Sequence, residues 1–313
     1  MSRTVPRMSA VRPPSSVPPR EGQTFTGESL LVRYVNLVKL PHTVFALPFA
    51  LLGVVFASRA NPVTLREVTL VLLAFTAARF VAMGFNRIAD RRLDAINPRT
   101  AQRELPSGRL GVMQAIVAVV LAAIVFVGCA GLLNPVCLQL SPLALAWIVG
   151  YSYAKRFTSW SHVWLGASLA IAPAGGYLAV AGHWSTPAWP LYTLAFAVAM
   201  WVAGFDIFYA LQDEDFDKGH GLKSAVVRLG QTRSIFLAKV LHGAAIAALA
   251  GFGFGVGLGW IYWGGLAVAA GLIAWEHRLV RPGDLRRLDA AFFTMNGIIS
   301  IVVFLGALGD RVL

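Results

Sequence analysis

The chain has 313 residues, a net charge of +12, a mean hydropathy of +0.66 and 57% hydrophobic residues. Only 13% of its residues are charged, where a soluble domain carries about a quarter. Apolar runs long enough to cross a bilayer recur along it, which excludes a soluble globular domain and defines an all-α, polytopic membrane protein. The basic residues cluster between the apolar runs, the pattern of membrane topology and not of nucleic-acid binding.

In chain order, residues 1–28 come first. "MSRTVPRMSAVRPPSSVPPREGQ" is rich in Pro, Ser and Arg, so it is expected to be a disordered tail; it has no apolar core of a secretory signal. Residues 29–313 are expected to form one transmembrane domain of about nine helices. The spans are predicted at 37–58, 67–86, 111–133, 135–153, 160–182, 188–211, 234–256, 260–277 and 289–309. Nine spans put the termini on opposite sides. With the N-terminus inside, the inner loops hold 16 Lys and Arg against 3 in the outer segments, which predicts a cytoplasmic N-terminus. Cys129 and Cys137 lie in or beside apolar segments, without metal or redox spacing, and read as small buried hydrophobes.

The second span, "ARFVAMGF", runs into "NRIADRRLDAINPRT". Asn86, Asp90 and Asp94 are four residues apart and share one helical face. Carboxylates are disfavoured at a helix C-terminus, so this face calls for a cation. The sixth span ends "AGFDIFYALQDEDFDKGHGLKS". Asp206, Asp213 and Asp217 fall near one stripe if the helix persists that far, with Asp215 pointing elsewhere. Asp206 is ionisable within a span, which makes it a functional candidate. Arg87 and Arg91 pairing with Asp90 and Asp94 would account for one acidic stripe as a solvated charge cluster. Two matched DxxxD stripes, Asp90/Asp94 and Asp213/Asp217, on the same side of one membrane protein call for more.

Paired carboxylates suit a hard cation. Mg2+ takes one or two protein carboxylates and completes its shell with water and phosphate oxygens. Two such stripes in a basic surround suggest Mg2+ ions holding a diphosphate. Arg79, within the second span, and Lys155 and Arg156 in "YSYAKRFT" are the candidates for direct contact with its oxygens.

"NRIADRRLDAINPRTAQRELPSG" together with "YALQDEDFDKGHGLKS" resembles the UbiA family of intramembrane aromatic prenyltransferases, over about Lys39 to Leu308. The resemblance implies a UbiA-type bundle around a central, lipid-open cavity in the cell inner (cytoplasmic) membrane. It implies Mg2+ as cofactor, and polyprenyl diphosphate, an aromatic acid acceptor and membrane lipid as partners. Asn86, Asp90 and Asp94 match the first Mg2+-diphosphate motif, Asp213 and Asp217 the second, and Tyr151, Lys155 and Arg156 the Tyr and basic positions after the fourth helix. Lys39 and His42 are candidates for the acceptor's carboxylate. Tyr151, Tyr153, Phe157, Phe205, Phe208 and Tyr209 lie at the depth where aromatic faces stabilise an allylic cation. Many ubiquinone-branch members begin the first motif Asn-Asp, whereas Arg87 follows Asn86 here. "KLPHTVFALPFALLG", "NPRTAQRELPSGRL" and "GYSYAKRFT" look closer to the branch that prenylates 1,4-dihydroxy-6-naphthoate in futalosine-route menaquinone synthesis. Residues 213–233, with Gly219 and Gly221 beside the acids, are expected to act as a soft lid. A transporter or cation channel would explain Arg79 and Asp206, but not why the acids gather at one membrane face. A lipid-head-group phosphotransferase would be expected to show an Asp-Gly/Ala-Arg pattern beside the acids, and none is present.

Overall fold

The computed structural model describes residues 25–27, 29–39, 43–280 and 288–313. Most of the tail expected over 1–28, and His42, lie outside the described residues. Every regular element described is helical. In order these are α1 (Leu30–Leu37), α2 (Thr43–Ala57), α3 (Leu65–Ile96), α4 (Val112–Leu133), α5 (Pro135–Gly150), a 3-10 turn (Tyr151–Tyr153), α6 (Ala154–Phe157), α7 (Ser161–Ala181), α8 (Trp189–Leu211), α9 (Glu214–Gly219), α10 (Ala225–Leu229), α11 (Gln231–Val256), α12 (Trp260–Leu279) and α13 (Leu288–Val312).

Among the described residues seven helical segments are long and apolar enough to cross a membrane. Two of the nine expected spans fall short of that standard. The described part of α2 has 15 residues, and α12 is diluted by Trp, Tyr, Glu276 and His277. The first span also differs from expectation. It does not run unbroken from residue 37: α1 ends at Leu37, Lys39 adopts a left-handed backbone with φ 46°, and α2 begins only at Thr43.

α8 is the buried axis of the bundle, packed between α7 and α11. Its Leu194, Val202 and Phe208 meet Phe252 of α11, Tyr262 of α12 and Val303 of α13 in the largest core cluster. The peripheral α4 turns Ile116, Val120, Leu121 and Ile124 outward, an apolar face that suits lipid and not water. Along α2, α7 and α8 the backbones touch. A methyl group on Gly176 would collide with the Ala50 carbonyl, one on Gly53 with Pro173, and one on Gly166 with Ala199. Glycine is required there because only a missing Cβ lets the helices approach so closely.

α3 positions the site. Thr64 and Glu67 close a capping box at its start, and its 32 residues span about 48 Å. A hydrocarbon core is about 30 Å thick, so the last turns of α3 project beyond it and carry the first acidic stripe. The predicted span, 67–86, is the apolar part of this longer helix. α1 packs over the following loop through Leu37 and Val38 against Leu105 and Leu110. The Asn36 side chain holds the Phe25 backbone by two hydrogen bonds, and Arg33 donates to the Arg109 carbonyl at 2.8 Å.

Candidate active site

One cavity of about 720 Å³ opens between the helices, bounded at one end by all the acids of the two motifs. The first stripe is as expected: α3 continues unbroken through Asn86, Asp90 and Asp94. Asn86 donates from Nδ2 to Asp90 Oδ2 at 3.0 Å, which orients that carboxylate. The second stripe is not one helix. α8 ends at Leu211, Asp213 is the N-cap of α9, and Asp217 lies within α9. Asp206 therefore stays in the buried helix while Asp213 and Asp217 are carried by a separate turn. Asp215 is exposed, as expected.

Each motif carboxylate is held by one cationic side chain. Arg156 donates to Asp90 Oδ1 at 3.1 Å and Arg103 to Asp94 Oδ1 at 2.7 Å. Arg99 forks onto both oxygens of Asp213 at 2.9 and 2.6 Å, and Lys155 reaches Asp217 Oδ2 at 3.2 Å. The cations that hold these carboxylates come from the loop after α3 and from α6; Arg91 donates instead to the Ile88 carbonyl at 2.8 Å, and Arg87 is buried and lines the cavity. Burial pushes the Asp217 carboxyl up, and the Lys155 ammonium opposes the shift.

Lys39, Arg79, Tyr151 and Asp206 also line the cavity. Arg79 is half-buried two turns before Asn86, and its buried Nε has no hydrogen-bond partner. Of the six aromatics singled out, Tyr151, Phe205 and Tyr209 face the cavity. Tyr153 and Phe157 turn outward, and Phe208 is buried against His242 and His277 on the far side of α8. The segment 213–233, expected to act as a soft lid, carries regular structure. It folds into α9 and α10, and the Lys223 N–H is bound to the Lys155 carbonyl at 2.7 Å.

Three residues of the site escape the sequence reading. Arg99 and Arg103 sit inside "NPRTAQRELPSG", and their four-residue spacing was the available signal. His162 gave none, being a single histidine in an apolar run. It is fully buried, and its Nδ1 lies 2.7 Å from Asp206 Oδ2.

Among the described residues no three His, Cys, Asp or Glu side chains converge as a preformed metal cage. The donors nevertheless suit Mg2+. They are oxygens and one amide, and Asp94 Oδ2 is buried without a partner, an acceptor that a hard cation satisfies. Ions bound here would take one or two carboxylates each and need further oxygens from a ligand.

The fold and the site together define a helical membrane protein with a cluster of paired acids and cations at one end of a largely apolar cavity. The family model for the UbiA prenyltransferase family matches residues 46–298, and the chain belongs to that family. It is an aromatic prenyltransferase. It is 32% identical to a 4-hydroxybenzoate octaprenyltransferase of Alkalilimnicola ehrlichii over 89% of this chain and 94% of the relative. It is 31% identical to one of Pseudomonas syringae pv. tomato, over 90% and 94%. Among solved structures, a UbiA homologue from Aeropyrum pernix superposes with a TM-score of 0.79 at 33% identity, covering 86% of this chain and 98% of that one. A homologue from Archaeoglobus fulgidus bound to DMAPP and Mg2+ shares the fold, with a TM-score of 0.67 at 21% identity, covering 90% and 100%.

Proposed function

We propose that the protein transfers a polyprenyl group from its diphosphate to the ring of a hydroxy-aromatic carboxylate in quinone synthesis, with Mg2+ as cofactor. The observation that carries this is the convergence of four aspartates and four cations at the mouth of one apolar cavity. Asp90, Asp94, Asp213 and Asp217, with Asn86, would hold Mg2+, which supplies electrostatic stabilisation of the leaving diphosphate. The A. fulgidus homologue, bound to DMAPP and Mg2+, lends support. Arg99, Arg103, Lys155 and Arg156 are placed to trade their carboxylates for diphosphate oxygens. The apolar walls keep water from the allylic cation, and Tyr151, Phe205 and Tyr209 offer it aromatic faces. Lys39 and Arg79 line the same cavity and are the candidates to meet the acceptor's carboxylate.

The basic loops favour a multi-pass inner-membrane protein with a cytoplasmic N-terminus and with both acidic motifs on the cytoplasmic side. A disordered tail over 1–28 belongs to the same reading.

The motifs around Lys39 and Asn97-Pro98 favour 1,4-dihydroxy-6-naphthoate as acceptor. The relatives' names favour 4-hydroxybenzoate as the second reading. The two acids differ by a fused ring, and apolar pockets discriminate by only about 1–3 kcal/mol per methylene-sized increment, so weak activity on the smaller acid is expected. Purified enzyme, Mg2+, a polyprenyl diphosphate and both acceptors at equal concentration decide it by the ratio of products. A tenfold excess of prenylated 4-hydroxybenzoate, about 1.4 kcal/mol of transition-state preference, overturns the first choice. No ring prenylation of either acid overturns the function itself.

A further inference from the structure

Five aspartates line the cavity, and four are gripped by a guanidinium or ammonium. Asp206 is different. Its partner among the described residues is an imidazole, His162 Nδ1 at 2.7 Å from Oδ2. The state of that imidazole follows from its other nitrogen. His162 Nε2 accepts the backbone N–H of Ala225 at 3.3 Å, at the start of α10, so Nε2 carries no proton. His162 is then neutral, with its single N–H on Nδ1, and donates that proton's hydrogen bond to the carboxylate. The imidazole is 1% exposed and held by α7, α8 and α10 together, whereas the Asp206 side chain keeps 17% exposure on the cavity side. The result is an oriented carboxylate with no cation bound to it, one to two turns deeper than the diphosphate-end acids.

We propose that Asp206 is the general base that removes the ring proton of the acceptor and that His162 is its positioning residue. This rests on the prenyl-transfer reading given above. The C–O bond to diphosphate breaks with its electron pair leaving on oxygen. A π pair of the acceptor ring forms the new bond to the allylic carbon. The attacked ring carbon still bears its hydrogen, and Asp206 takes it as a proton through the oxygen not bonded to His162. The C–H pair returns to the ring and restores aromaticity. Asp206 ends as a carboxylic acid and gives its proton to water once the product has left. The released diphosphate is the competing base, but the cations that stabilise it also weaken its hold on a proton. Asp206 pairs with an imidazole and feels Lys155 only at longer range, where that ammonium is engaged by Asp217, and a base in reach of the substrate is worth about 10²–10⁴ in rate.

The test uses Asp206→Asn in the full-length membrane enzyme, with three readings: Mg2+-dependent binding of a non-ionising prenyl diphosphate analogue, turnover, and the rate with acceptor deuterated at the attacked carbon. The expected result is unchanged analogue affinity, turnover lowered by about 10²–10⁴, and a deuterium isotope effect that the wild type lacks, because proton loss has become the slow step. His162→Gln, which keeps an N–H donor, should retain most of the rate; His162→Leu should lose rate and gain the isotope effect. Wild-type turnover in Asp206→Asn overturns the assignment. So does loss of analogue binding along with turnover, which would make Asp206 part of the diphosphate site, or slow turnover with no isotope effect. Where Asp206→Asn does not fold, the two His162 variants decide, and equal isotope effects in both overturn it. A wild type that prenylates no aromatic ring brings down the functional reading itself, a result separable from all of these.

Discussion

Asp94 shows how the site is poised at the scale of one residue. One oxygen accepts from Arg103 at 2.7 Å and the other is buried with no partner. A buried acceptor left unsatisfied costs about 1–3 kcal/mol, a cost that a bound cation removes. Asp90→Asn and Asp213→Asn should each lower turnover by more than about 100-fold, because the amide keeps the shape and loses the charge that holds the metal. Both variants should remain monodisperse in detergent; wild-type rates at saturating Mg2+ would contradict the two-motif site. Arg103→Gln separates the two tasks of that guanidinium. With the competitor gone from Asp94, Mg2+ added without diphosphate should bind about tenfold more tightly, an amount typical of one charge-assisted hydrogen bond. Turnover should fall in the same variant, since Arg103 is no longer there to meet the diphosphate. Calorimetry of Mg2+ binding to the two proteins checks the first half, and an unchanged affinity would show that Arg103 does not compete with the metal.

At the scale of elements, α9 and α10 turn a stretch expected to be soft into a folded cap. Glu214 of α9 accepts from Lys218 at 2.6 Å and from Gln231 of α11 at 2.7 Å. The Lys218 hydrogen bond holds the Glu214 carboxyl below its ordinary value of 4.5; burial opposes this and Gln231 adds to it. The folded protein thus binds this proton less readily than the unfolded chain does. The stability it contributes is complete above about pH 4.5 and is lost as pH falls through the lower folded value. Protection from hydrogen exchange across 213–230, taken relative to the intrinsic rate at each pH, should therefore fall on acidification in the wild type, and Glu214→Gln should flatten that pH dependence. The contrast between α3 and α8 also shows what was legible in the sequence. The i, i+4 stripe of Asn86, Asp90 and Asp94 was readable because α3 is helical from end to end, so spacing alone gave the geometry. The second stripe was readable only as composition: the chain turns at Gln212–Asp213, and no spacing rule locates such a break. Arg99 and Arg103 act across 114 and 9 residues of chain, and His162 acts on Asp206 across 44. Contacts of that reach depend on how helices pack, which periodicity does not encode.

At the scale of the molecule, the rigid part and the adaptable part are separate. α2, α7 and α8 touch backbone to backbone through Gly53, Gly176 and Gly166, and α8 carries Asp206. Gly176→Ala should destabilise the protein by about 1–3 kcal/mol, the usual cost of overpacking, and thermal unfolding in detergent measures it. Equal unfolding temperatures for the variant and the wild type would mean that the helices can part without loss. Seven of the nine expected spans are long, apolar helices among the described residues, readable from hydropathy because lipid-facing helices such as α4 must be apolar; the break after α1 was not, because Lys39 turns the backbone without changing the composition. The four ion pairs also carry a consequence for the cycle. Arg99, Lys155 and Arg156 each join parts of the chain more than 60 residues apart, so these pairs tie α3, the loop after it, α6 and α9 together at the acidic end of the cavity. Mg2+ and a diphosphate held here would draw on the same carboxylates, guanidinium groups and ammonium group that make these ties. A ligand that takes one of these side chains would thereby loosen a link between distant parts of the chain, so occupancy of the site and the packing of its walls are coupled through the same atoms.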